Sequence, residues 1–162
     1  MKLYHGSTEI VEKPRIITSD KFLDFGCGFY TTTSEEQALR WAEIKKKRIR
    51  GENAYLNIYE IDECLFSHHS FSVLSFDSPN REWLEFVIAN RRGTAFHKYD
   101  IVKGAVADDT LYRTITIYES GVLTFEETIN RLKIHKLFDQ LSFHTEKALE
   151  KLNFVEAKQV KK

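Results

Sequence analysis

The chain is poor in cysteine. Cys27 and Cys64 are its only two in 162 residues, too few and too widely spaced for a metal set or a disulfide framework. Free thiols in a reducing cytosol are the expectation. Net charge is missing as well: 24 Lys plus Arg balance 24 Asp plus Glu, for a formal charge of +0. No global field therefore draws the chain to nucleic acid or to a membrane surface, although a locally basic face stays open. Nowhere is there a run of about 18 apolar residues. "MKLYHGSTEIVEKPR" also lacks the apolar stretch of a cleaved signal. A cytoplasmic protein is expected, and export would need a route without a cleaved signal. Repeats, low-complexity segments and linkers are absent too.

What the chain does have is aromatic weight, with 12 Phe and 7 Tyr in a composition that is 42% apolar and 30% charged. That composition is globular rather than disordered, and the length suits one domain with a sizeable core. Residues 1–158 are read as that domain and residues 159–162 as a basic tail.

"KLYHG" reads as a first strand ending at Gly6, and residues 8–24 as loop. "GFYTT" is a strand by its aromatic and β-branched content. "TSEEQALRWAEIKKKRIR" is a helix with Ser34 as cap, Gln37 completing a capping box, and Ala38, Leu39, Trp41 and Ala42 as the buried stripe. "AYLNIYEI" is a strand. "SPNREWLEFVIANR" is a helix with Ser78 as cap and Pro79 at its first helical position, placing Trp83, Phe86, Val87 and Asn90 on one face. "YDIVKGAVA" is a strand. "DDTLYRTITIYESG" balances β-branched residues against the helical spacing of Leu111, Ile115 and Tyr118, and we read it as helix ending at Gly121. Thr124 and Glu127 form a second capping box. "QLSF", "TEKALEKL" and "NFVEAKQV" follow as strand, helix and strand. The fold class is α+β.

Two stretches do not read as plain core. In "LYHGS" an imidazole at a strand end can bond a ribose hydroxyl, while Gly6 lets a ligand approach the backbone. In "FGCGFYTTT", Gly26 and Gly28 permit a tight turn, Tyr30 offers a ring for stacking, and Thr31 to Thr33 offer hydroxyls. Each alone is weak. A single histidine is more often surface or satisfied core, and glycines two apart are common in turns. Their pairing and order carry the information.

"LYHGS" followed by "FGCGFYTT" resembles the ADP-ribosyltransferase superfamily, on its His-Tyr-Glu side with poly(ADP-ribose) polymerases and diphtheria-toxin-like enzymes. The chain is most similar to an uncharacterised bacterial branch reading "LYHGS", "DFGxGFYTT", "EWLxFV" and "DQxSFHT" along nearly its whole length. The resemblance implies a split β-sheet core with flanking helices, and NAD as substrate without a metal. It implies that His5 holds the adenosine-side ribose, that Gly6 pairs its backbone with the nicotinamide amide, and that Tyr30 stacks on the nicotinamide ring. Ser7, Gly28 and Thr31 complete the implied cleft. The family's glutamate, which binds the nicotinamide-side ribose and stabilises charge as nicotinamide leaves, corresponds to Gln140. Glutamine can bond a ribose hydroxyl but carries no charge. Relatives of this kind act as bacterial toxins or defence factors. The resemblance thus implies mono-ADP-ribosylation of a protein or nucleic-acid acceptor. The alternative is a non-catalytic NAD or ADP-ribose binding module working through a protein partner, such as a toxin–antitoxin component.

Other features weigh less. Glu82 and Glu85 share a helix face, and Asp108 or Asp109 is an expected site-mouth acid or helix cap. Glu82 and Asp109 are the first candidates for an assisting acid, beside a plain role at helix termini. His68 and His69 near Cys64 read as a solvated loop, because adjacent strand residues face opposite ways. "KKKRIR" reads as cations at a helix C-terminus, with phosphate contact as the lesser reading. Trp41 and Trp83 read as core.

Overall fold

The computed structural model describes residues 1–18, 23–67, 69–106, 109–133 and 137–161, leaving aside the side chains of residues 109 and 110. In chain order the described elements are β1 (Lys2–Ser7), β2 (Phe29–Thr31), α1 (Glu35–Ile49), β3 (Tyr55–Glu60), a short 3-10 helix (Glu63–Ser67) and β4 (Val73–Ser75). There follow α2 (Arg81–Arg91), β5 (Ile101–Ala105), α3 (Asp109–Glu119), α4 (Phe125–Lys133), β6 (Asp139–Phe143), α5 (Glu146–Leu149) and β7 (Asn153–Gln159). The protein is a mixed α+β domain with two sheets. One has the order β1-β3-β7, the other β2-β6-β5-β4. Among the described strands only the β4–β5 pair is parallel.

Helix boundaries follow local chemistry. Ser34 caps α1, its side chain accepting from the Gln37 N–H, while Glu35 and Glu36 favour the helix N-terminus and Lys46, Lys47 and Arg48 its C-terminus. The reciprocal half of the expected box does not form, because Thr32 Oγ1 bonds Gln37 Oε1 at 2.8 Å and accepts from Ser34 N at 3.0 Å. The Thr124–Glu127 box at α4 closes in both directions, at 2.8 and 3.2 Å. At α2 the cap is Asn80 rather than Ser78. Its Oδ1 accepts from Trp83 N at 2.8 Å, so the helix begins at Arg81, with Pro79 just outside it.

Alternation along the strands distributes side chains to three cores. Tyr4, Leu56 and Ile58 face α1, where Ala38 and Leu39 pack on them. Leu3 and Tyr59 face the other way and meet Phe29, Leu141 and Phe143 in a core between the two sheets. The opposite face of the four-stranded sheet carries Val102 and Tyr30, packed with Phe25, Phe76, Trp83, Leu111 and Ile115. Leu111 and Ile115 are buried on α3, so the helical spacing prevails over the β-branched content. Trp83 is fully buried, but Trp41 is only half-buried, with the Arg48 guanidinium 5.7 Å from its ring centroid. It belongs to the surface of α1 rather than to the core, because Gln37, Ala38 and Ala42 take the buried face.

The sheets meet at β1 and β2. Tyr4 and Thr32 exchange two backbone bonds there, Tyr4 N to Thr32 O at 2.8 Å and Thr32 N to Tyr4 O at 3.0 Å, as an isolated bridge. β1·β2 is therefore a seam rather than a ladder.

Candidate functional site

Antiparallel pairing turns alternate residues of a strand toward alternate neighbours. Tyr4 directs its N–H and C=O at β2, so Gly6, two residues on, directs its own backbone groups the same way. The Tyr4–Thr32 bridge has ended by that point, and although Gly6 pairs with Leu56 of β3, no strand among the described residues meets it on the β2 side. A backbone donor and a backbone acceptor thus lie side by side at the seam. Gly6 is required there for a second reason: a Cβ at this position would stand 2.0 Å from Ala38 O and 2.6 Å from Ala42 N of α1.

Side chains occupy part of the seam. His5 Nδ1 lies 2.6 Å from Tyr30 O, and because a carbonyl only accepts, that nitrogen carries the proton. The imidazole stacks on Phe29 at 4.5 Å between centroids and is 8% exposed. Burial, with the Lys45 ammonium nearby, lowers its pKa to about 3, so the ring is neutral. Lys45 Nζ donates to Gly6 O at 2.7 Å. Ser7 is half-buried at the strand end, its Oγ accepting from Glu9 N at 3.3 Å. Above His5, residues 9–11 are strapped to Asn57, which is fully buried. Its Oδ1 accepts from Val11 N at 2.8 Å, and its Nδ2 donates to Glu9 O at 3.1 Å and His5 O at 3.3 Å.

Tyr30 and Gln140 share a face of the other sheet. Tyr30 pairs with Ser142 in register, and Gln140 lies two residues from Ser142 on the same side. His5 packs on the Phe29 side, so His5 and Tyr30 meet through the Tyr30 carbonyl and not ring to ring. Gln140 is half-buried, and its Nε2 is buried with no hydrogen-bond partner among the described residues. Thr31 is buried and spends its hydroxyl on Leu141 O at 3.1 Å. Gly28 is buried where a Cβ would come within 2.7 Å of Phe143 O.

The Tyr30 hydroxyl donates to Gly26 O at 2.5 Å and accepts from Phe25 N at 3.2 Å, so the ring organises the turn of residues 24–28. Gly26 sits at φ 87°, the left-handed region that glycine adopts without penalty. Two histidines not singled out from the sequence hold the same turn. His144 Nδ1 donates to Cys27 O and His97 Nε2 to Phe25 O, both at 2.7 Å, with the rings edge-on at 4.5 Å. The fixed tautomer leaves His144 Nε2 to accept from Ser142 Oγ at 2.7 Å. Burial lowers the His144 pKa to about 4. This Ser–His pair is not a nucleophile and its base, since Ser142 is fully buried. Arg91 extends the cluster, with its Nε 2.6 Å from Asp24 and its guanidinium over Tyr112. The signal for His144 lay in "DQLSFHT"; His97 has no motif of its own.

The remaining candidates lie elsewhere. Glu82 is exposed in the first turn of α2, and Glu85 pairs with Arg81 at 3.8 Å. Asp109 opens α3, and Asp108 and His68 lie outside the described residues. Cys27 and Cys64 are free and exposed. Among the described residues no group of three His, Cys, Asp or Glu is placed to hold a metal ion. No helix among them is long and apolar enough to cross a membrane.

The two-sheet α+β domain with its seam belongs to the family described as "Protein of unknown function (DUF3990)", whose model matches residues 1–154. No curated protein and no solved structure matches the chain.

Proposed function

We propose that the protein is an ADP-ribosyltransferase of the split-sheet type, that NAD binds across the seam between β1 and β2, and that one ADP-ribose is passed to a macromolecular acceptor. The observation that carries this reading is the pair of backbone groups at Gly6. A carboxamide presents one acceptor oxygen and N–H donors, which match the Gly6 N–H and C=O at two points. The C=O has a second lone pair beside the one Lys45 uses. The donor set around it fits the rest of a dinucleotide. His5 is neutral, and its Nε2 is an acceptor for a ribose hydroxyl. The Gln140 amide oxygen is the acceptor for a hydroxyl of the nicotinamide-side ribose.

In the transfer, the bond between C1′ of the ribose and nicotinamide breaks, and nicotinamide leaves neutral with the electron pair. An acceptor oxygen or nitrogen forms the new bond to C1′ and gives up its proton. The residues of this chain bind and orient NAD at that step. Gln140 holds the ribose without a charge to set against the developing cation.

That neutral amide is also the observation that favours the second reading, a module that binds NAD or ADP-ribose and works through a protein partner. One experiment separates the two. Calorimetric titration with NAD is paired with an assay of nicotinamide release, for the wild type and for Gln140→Glu. Transfer predicts release by the wild type and faster release by Gln140→Glu. Binding with no release from either protein supports the module. No binding of NAD refutes transfer, and no binding of ADP-ribose in the same titration refutes the module as well. The acceptor follows from labelled NAD and a cell extract, fractionated by protease and nuclease sensitivity.

A further inference from the structure

We infer that Lys45 is an anion-binding residue at the seam, its ammonium taking the diphosphate of the bound dinucleotide; only the identity of that ligand rests on the NAD reading. In the run Lys45–Arg48 the other three cations occupy the last turn of α1, as cations at a helix C-terminus do. Lys45 is the member directed inward. It lies three residues past Ala42, where α1 presses on Gly6, and that approach delivers its Nζ to Gly6 O at 2.7 Å.

The ammonium is not satisfied by this contact. It has three N–H groups and one described partner, a neutral carbonyl. Among the described residues no carboxylate pairs with it. Burial pushes its pKa down to about 8, the response of a cation removed from water without a counter-charge. His5, the titratable group facing it, is neutral and supplies no negative charge. A half-buried ammonium with no carboxylate partner among the described residues costs stability that an apolar side chain of similar length would not. The fold has no use for the charge at this position, whereas an anion arriving at the seam completes it.

The test titrates pyrophosphate, ADP-ribose and nicotinamide riboside into the wild type, Lys45→Met and Lys45→Arg at neutral pH. Pyrophosphate carries the anion alone, ADP-ribose adds the nucleoside, and nicotinamide riboside carries no diphosphate. Lys45→Met is expected to weaken pyrophosphate and ADP-ribose about tenfold or more, and nicotinamide riboside less than about twofold. Lys45→Arg, which keeps the charge, is expected to retain more affinity than Lys45→Met. Its denaturation midpoint should show Lys45→Met as stable as the wild type or more so. The proposal is overturned if the wild type binds neither pyrophosphate nor ADP-ribose, or if Lys45→Met binds them as the wild type does. An equal loss for all three compounds, or a loss of stability in Lys45→Met, assigns the side chain to packing and also overturns it. If pyrophosphate binds in a Lys45-dependent way while ADP-ribose and nicotinamide riboside do not bind, the anion site stands and the NAD reading falls.

Discussion

Gly6→Ala tests the packing on which the candidate site depends. The new Cβ would stand 2.0 Å from Ala38 O, 2.6 Å from Ala42 N and 3.0 Å from the Ala38 carbonyl carbon. All three are backbone atoms of α1, so no rotamer change can relieve the overlap. Measured against an ordinary contact of 3.4 Å, the shortest distance is deficient by about 1.4 Å, and the helix must retreat by a similar amount. Ala38 and Leu39 then lose contact with Tyr4, Leu56 and Ile58. Overpacking costs about 1–3 kcal/mol where side chains can adjust, and a fixed backbone puts this case at about 3 kcal/mol or above. For a domain of this size that is a fall in Tm of roughly 6–12 °C. Urea denaturation followed by circular dichroism reads the change as a lower midpoint at unchanged slope. Gly121→Ala is the control. It has nothing within 4 Å, but its φ of 78° costs about 1–2 kcal/mol in strain. If Gly6→Ala proves no more costly than Gly121→Ala, α1 does not rest on β1 as described, and the delivery of Lys45 to the seam falls with it.

Other perturbations report on neighbouring parts. Asn57→Ala removes three bonds to the 5–11 segment and should cost about 2–4 kcal/mol, with faster proteolysis between residues 8 and 18; unchanged cleavage would detach Asn57 from the strap. Tyr30→Phe removes the hydroxyl that ties the 24–28 turn and should cost about 1–2 kcal/mol, read by denaturation, whereas a neutral outcome would mean the turn is held by the histidines alone. His5→Ala should weaken NAD about tenfold in calorimetry, and equal affinity in a folded variant would remove His5 from the site. His5 also sets a pH dependence, because burial brings its folded pKa to about 3, below the ordinary imidazole value of 6.5. The unfolded chain therefore binds the proton first, and this contribution is complete above pH 6.5 and is lost as pH falls toward 3. At pH 5 the loss is about 2 kcal/mol. His5→Gln should remove about half of the slope between pH 6.5 and 5, because His144, with its pKa lowered to about 4, supplies a contribution of the same sign; a slope as steep as the wild type's would show that His5 is not held neutral.

Where local signals agreed with the packing, the elements were legible from the sequence. Thr124 and Glu127 mark α4 because both halves of their box form. At α3 the spacing of Leu111 and Ile115 outweighs the β-branched residues because those two positions are the ones the core takes up. Trp41 misleads, since an aromatic at helical spacing can still lie to one side of a stripe that small residues fill more closely. Strand β4 gives almost no local signal: its three residues are made a strand by β5, which begins 26 residues later. At the site, His5, Gly6, Tyr30 and Gln140 are visible as types and order, but not the faces they take. Register puts His5 on the Phe29 side and Tyr30 with Gln140 on the other. Which of four adjacent cations turns inward is not visible at all, because it depends on where α1 crosses Gly6. His97 and His144 are 47 residues apart and meet only through the 24–28 turn.

The single bridge between Tyr4 and Thr32 has a mechanical consequence. Within each sheet, strands are held by several bonds in register, so each behaves as a stiff plate. Between the plates, the backbone bonds among the described residues are the Tyr4–Thr32 pair, joined by the His5 bond to Tyr30 O and by the packing of Leu3 and Tyr59 on Phe29, Leu141 and Phe143. The join between the plates therefore rests mostly on non-directional apolar contact rather than on hydrogen bonds. A change in the angle between the plates would cost buried apolar area while leaving every ladder in both intact.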